Sequence, residues 1–172
     1  MLNRKIPNVI FKTRVRDETL DSDNPYRWQD VTTEEYFFGK RSILFSLPGA
    51  FTPTCSTFQL PDYERLYGAF TEKGIDDIFC ISVNDAYVMN AWGKSQSIQN
   101  VKLIPDGSGE FTRKMSMLVY KNPEGFGMRS WRYAALVEHN KIAAWFEEPG
   151  FQDDCPDDPY GASAPQAVLD AI

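Results

Sequence analysis

The chain has 172 residues, 42% hydrophobic and 24% charged, a globular composition with enough length for one domain, 1–172, around one core. The 18 basic and 24 acidic residues leave a net charge of −6, and no Lys/Arg cluster offers a footprint for phosphate backbones or anionic lipid, so nucleic acid and membrane partners are not expected. No apolar run approaches the roughly 18 to 20 residues of a spanning helix, and no apolar h-region follows the basic start, so a cytoplasmic chain is expected.

Taken in order, Ile6 to Lys12 reads as an edge strand, and the polar stretch from Arg14 to Tyr26 as a loop or hairpin. Thr32 and Glu35 match a capping box before Tyr36-Phe37-Phe38, predicting a short helix that Gly39 ends. Arg41 to Leu47 is a short buried strand, and Thr54 to Phe70 carries Phe58, Tyr63, Leu66 and Phe70 at helical spacing with Pro61 as a kink. Asp77 to Val83 is a second buried strand, Asn84-Asp85 caps a helix through Ala91 to Lys94, and Val101 to Ile104 is a third strand. After an Asp106–Gly109 loop, Trp131 to Val137 and Ile142 to Phe146 form a hairpin whose turn holds the single histidine, His139. Ser163 and Gln166 match a second capping box opening a helix to Ile172. This order predicts an α/β architecture, a central mixed β-sheet flanked by helices, which a thioredoxin-like fold fits.

With one histidine, a zinc site of ordinary ligand content and a histidine-based triad are both hard to build. The three cysteines, Cys55, Cys80 and Cys155, contain no CxxC, so neither a disulfide framework nor a dithiol centre is signalled. Most free cysteines are small buried hydrophobes, and Cys80, inside a strand, reads as one. Cys55 differs in position. Thr52 as N-cap and Pro53 in the first helical turn put its thiol near free backbone N–H groups, where a charge gains roughly 0.3 to 2 kcal/mol and a thiolate is favoured. A nearby guanidinium would add to that without competing as a base.

The run Pro48-Gly49-Ala50-Phe51-Thr52-Pro53-Thr54-Cys55-Ser56 resembles the signature of the peroxiredoxin family. Leu60-Pro61, Ser82-Val83-Asn84-Asp85-Ala86-Tyr87-Val88, Trp92-Gly93 and Ala164-Pro165 resemble its peroxiredoxin 5-type subfamily, and the resemblance runs from about Ile6 to Ile172. It implies a thioredoxin-like fold and reduction of hydroperoxides by a cysteine, with no metal or organic cofactor. Carried over residue by residue, Cys55 is the peroxidatic nucleophile, Thr52 supplies the hydroxyl that holds thiolate and peroxide, and Pro48 shields the sulfur. The family arginine falls on Arg132, with Arg129 its nearby competitor.

The sulfenic acid so formed needs a second thiol. The subfamily's resolving cysteine lies just before the final Ala-Pro helix, where this chain has Gly161. Cys155, six residues upstream in an acidic stretch expected to be solvated and mobile, is the candidate resolving cysteine; its acidic neighbours oppose a thiolate. The resemblance therefore favours a one-cysteine cycle with glutathione or glutaredoxin as electron donor. It leaves open a thioredoxin-dependent two-cysteine cycle through Cys155, a peroxide-sensing relay, and a non-catalytic binding module. Subfamily relatives imply a homodimer packed through the face bearing the active-site loop, with Phe51 and Trp92 as apolar candidates for it.

Overall fold

In the computed structural model, which describes residues 1–172, the first strand starts later than expected. Strand β1 (Ile10–Arg16) pairs antiparallel with β2 (Tyr26–Thr32), in register from Ile10 opposite Thr32 to Arg16 opposite Tyr26. Of the two readings of the polar stretch, loop or hairpin, the hairpin is the one the structure has. Its charges hide it: the Arg14 guanidinium lies over the rings of Tyr26, Trp28 and Tyr87, so the side chain forms part of an aromatic stack.

Helix α1 (Thr33–Phe37) opens with the expected capping box between Thr32 and Glu35 and buries Phe37. Strand β3 (Arg41–Ser46) follows. The chain then forms a π-helical turn over Cys55–Gln59, α2 (Leu60–Arg65) and α3 (Tyr67–Glu72), with Pro61 in the first turn of α2. Strand β4 (Asp77–Ser82) leads into α4 (Ala86–Ser95), capped by the Asp85 carboxylate on the N–H groups of Tyr87 and Val88. Strand β5 (Lys102–Pro105) ends this half.

Three further elements were not expected: α5 (Glu110–Lys114), β6 (Leu118–Lys121) and β7 (Gly127–Ser130). Each is one turn or four residues long, too short for a periodic signal. The helix also lacks an adjacent side-chain cap, because Gly109 there has φ +66° and the buried Asp106 accepts from the N–H groups of Phe111 and Thr112 instead. Strands β8 (Tyr133–Glu138) and β9 (Lys141–Glu147) form the expected hairpin, His139 and Asn140 turning it with φ +49° and +65°.

The central sheet has the order β5-β4-β3-β8-β9, with β3 parallel to β4, β4 parallel to β5, and the other pairs antiparallel. Alternate side chains of the central strands supply two cores. Ile43, Phe45, Ile78, Cys80, Ala134 and Leu136 pack with α2, α3, α4 and the last helix, α6 (Pro165–Ala171). Leu44, Phe79, Ile81, Ala135 and Val137 pack on the other face with Phe11, Phe37, Phe111 and Trp131. No helix is long and apolar enough to cross a membrane.

The second expected capping box does not form. Ala164 is the N-cap of α6 without a side-chain bond, while the N–H and hydroxyl of Ser163 both donate to Glu148 Oε1, at 2.8 and 2.7 Å. Burial pushes the Glu148 carboxyl up, but donors from Gly161, Ser163 and Ala162 outweigh it and hold it below its ordinary value. Its stabilising contribution is thus present above the unfolded value of about 4.3 and lost as pH falls through the lower folded value. Glu148→Ala is expected to cost about 2–4 kcal/mol of unfolding free energy at neutral pH, read from the denaturant midpoint. Glu148→Gln should lose stability less steeply than the parent on acidification below about pH 4.

Candidate active site

Cys55 stands in the turn between β3 and α2, and local backbone chemistry fixes it there. Pro48, Gly49 and Ala50 are buried at the end of β3. The N–H of Ala50 donates to Asn84 Oδ1 at 2.9 Å, and the Ser82 hydroxyl donates to the same oxygen. Asn84, expected only as a helix cap, thus ties the turn to the end of β4. Phe51 takes φ +63° and leaves its ring 56% exposed; a non-glycine residue held there stores strain of about 1–3 kcal/mol, as functional turns do.

Thr52 does not cap the helix with its side chain. Its hydroxyl donates to Gly49 O at 2.7 Å, and the Ser56 N–H bonds to Thr52 O at 3.0 Å. The helix begins at Pro53 and widens into the π turn, in which the Leu60 N–H reaches back to Cys55 O. Pro61 explains the widening, since its ring has no N–H and crowds the carbonyl four residues earlier. Within the turn Cys55 and Gln59 lie on one face, 1% and 0% exposed.

Arg132 meets them from the link between β7 and β8. It is 1% exposed, and its Nη1 lies 3.6 Å from Cys55 Sγ, within hydrogen-bonding reach of sulfur. The same nitrogen donates to Gln59 Oε1, and Nη2 pairs with Asp158. Burial works against the charge on Arg132, but Cys55 and Asp158 outweigh it and raise its basicity. Arg129, the competitor, stands elsewhere: its Nε donates to Phe126 O at 3.0 Å, and Nη1 lies where a Cβ on Gly49 would come within 2.7 Å. Burial lowers its basicity while the charge of Cys55 opposes this, so both guanidinium groups lie in the field of that sulfur and only Arg132 touches it.

The other two thiols are placed apart from this cluster. Cys80 is wholly buried in β4, where burial, with a smaller contribution from the charge of Cys55, pushes its thiol well above the ordinary value. Cys155, expected in a solvated loop, is only 4% exposed and belongs to the core on the sheet face opposite Cys55. Its acidic neighbours hold it down: Asp153 accepts from the Tyr120 N–H and Asp154 from the Asn122 N–H. The structure therefore does not bring Cys155 to Cys55. Trp92 is likewise core, its indole N–H bonded to Ser56 Oγ at 3.0 Å, which leaves Phe51 as the exposed member of that pair.

Sequence reasoning missed Gln59, Asn84 and Asp158. Gln59 was legible only as the residue one turn beyond Cys55; Asp158 carried no local signal. No three His, Cys, Asp or Glu side chains converge as metal ligands. A cavity of about 480 Å³ beside the β1–β2 hairpin, between Arg14, Asn90 and Lys94, does not include Cys55. What the cluster can do is hold the Cys55 sulfur beside a fixed cation for attack on a small electrophile.

Comparison with known proteins agrees with this chemistry. The Redoxin family profile matches residues 4–158. A peroxiredoxin of Rhizobium etli is 65% identical over 99% of this chain and 96% of its own length. The hybrid peroxiredoxin hyPrx5 of Haemophilus influenzae is 47% identical over 98% of this chain and 65% of that relative. The crystal structure of the Plasmodium falciparum antioxidant protein, a 1-Cys peroxiredoxin, superposes with a TM-score of 0.91 at 43% identity, covering 98% of this chain and 97% of that one. With a sulfur set beside an arginine on a thioredoxin-like sheet, and relatives of this identity over nearly the whole chain, this chain belongs to the peroxiredoxins, thiol-dependent peroxidases, and among them to the peroxiredoxin 5-type subfamily.

Proposed function

We propose that the chain reduces hydrogen peroxide and alkyl hydroperoxides through Cys55, and that glutathione, directly or through glutaredoxin, regenerates it. The carrying observation is the 3.6 Å contact between Arg132 Nη1 and Cys55 Sγ in a site closed to bulk water. There a fixed cation stabilises both the thiolate and the charge that develops on the leaving oxygen.

In this reading the Cys55 thiolate attacks the protonated oxygen of the hydroperoxide. The S–O bond forms, the O–O bond breaks, and the electron pair leaves on the distal oxygen, which takes a proton and departs as water or alcohol. Sulfur is oxidised by two electrons and the peroxide reduced by two. Thr52, whose own proton is committed to Gly49 O, presents oxygen lone pairs to accept the peroxide O–H. Arg132 donates toward the peroxide oxygens, and Pro48 closes the sulfur off from water.

The glutathione sulfur then attacks the sulfenic sulfur, forming S–S and releasing water. A second glutathione, alone or carried by glutaredoxin, takes the first as oxidised glutathione and frees the Cys55 thiolate. Burial of Cys155 on the opposite sheet face supports this one-cysteine cycle over an intramolecular disulfide. Intact mass after one equivalent of peroxide in the presence of glutathione should show one glutathione on Cys55, and Cys155→Ser should retain most of the turnover. A product two mass units lighter than the reduced protein, absent in Cys155→Ser together with turnover, would overturn the reading.

A further inference from the structure

We infer that Asp158, on the segment after β9, is a positioning residue that holds Arg132 against Cys55; this rests on the catalytic reading of those two residues. Arg132 has a side chain only 2% exposed, whereas Asp158 is 45% exposed. The carboxylate thus reaches inward from the surface to a cation that water cannot solvate. Its Oδ1 accepts from Nη2 while Gln59 holds Nη1, so the two partners fix the plane of the guanidinium and with it the direction of Nη1 toward sulfur. Tyr160, two residues on, lays its ring against the same group, 5.7 Å from its centroid to Arg132 Cζ.

The support is built to be rigid. Upstream, Asp153 and Asp154 are bonded to the backbone of β6 and its following residue, and the Lys121 ammonium donates to Cys155 O. Downstream, Gly161 and Ser163 are fastened to Glu148. Asp158 and Tyr160 lie between these two anchors, so the segment acts as a strut that presents them to Arg132. The pairing also gives the cation a constant partner. When Cys55 passes from thiolate to neutral sulfenic acid, Arg132 loses one negative neighbour and keeps Asp158, so the buried charge is never left unpaired during the cycle.

The test is single-turnover peroxide attack on the reduced full-length protein, carrying Asp158→Ala in the parent and in Arg132→Met. Asp158→Ala is expected to slow attack about tenfold in the parent and to have no further effect in Arg132→Met, because both act through one guanidinium. Asp158→Asn should recover most of the rate, since its carboxamide oxygen still accepts from Nη2. Asp158→Leu, which removes both acceptor oxygens but keeps most of the side-chain volume, should show the same dependence on Arg132 and serves if Asp158→Ala does not fold. Unchanged attack in Asp158→Ala, equal slowing in both backgrounds, or failure of Asp158→Asn to recover the rate would each overturn the positioning role. An Arg132→Met protein as fast as the parent would instead overturn the catalytic reading of Arg132, and the present inference with it.

Discussion

Cys55→Ser is expected to lower peroxide turnover by about 10³-fold or more while leaving the protein folded. A serine hydroxyl at this position is not a nucleophile without a general base, and none is at hand, because the only histidine, His139, sits in the β8–β9 turn. The fold tolerates the change since the new oxygen can accept from Arg132, which now bonds the sulfur. Cys80→Ser gives the contrasting result. It should keep most of the activity and cost about 1–3 kcal/mol of stability, because a hydroxyl would be buried in the interior of β4. Steady-state turnover with glutathione and glutaredoxin, beside a denaturant titration of each variant, checks both expectations. A Cys55→Ser protein that turns over peroxide would refute the assignment of the nucleophile.

Arg132→Met should slow peroxide attack by about 10²–10³-fold, the effect of removing one preorganised donor from a charge-developing transition state. Methionine fills much of the same volume without the charge. The stability cost falls unevenly on the partners. Asp158, nearly half exposed, regains water, whereas Gln59 is wholly buried and loses its partner, for about 1–3 kcal/mol. Arg129 cannot substitute, because its guanidinium is committed to Phe126 O and lies over Gly49. Stopped-flow measurement of attack on the reduced protein, paired with a thermal melt, separates the two effects. Unchanged attack would move the role to Arg129 or abolish it.

The parts of the fold readable from sequence are those whose signal is local. Strands β3 and β4 announce themselves as short unbroken apolar runs because both faces are covered, and the α1 capping box needs only residues three apart. The run from Pro48 to Cys55, which joins the end of a buried strand to a helix start in eight consecutive residues, likewise carries in one stretch the resemblance that singles out Cys55 as the proposed nucleophile. What escaped depends on distant partners. Gln59 and Asp158 take their roles from Arg132, 73 and 26 positions away, and Asp106 caps α5 from beyond the usual cap position. Cys155 was misjudged because aspartates ordinarily mark solvated chain; here two of them accept backbone N–H groups from β6 and the residue after it, and so bury the thiol they flank. Ser163 and Gln166 match a capping box in spacing alone, since Glu148 claims the serine first.

The most direct test of the account is the mass of the reduced protein after one equivalent of hydrogen peroxide without added thiol, followed by peptide mapping. One oxygen atom should appear on the peptide carrying Cys55, and Cys55→Ser treated alike should take up none. Oxygen on Cys80 or Cys155 with Cys55 unchanged, or peroxide consumed with no change at any cysteine, would contradict it.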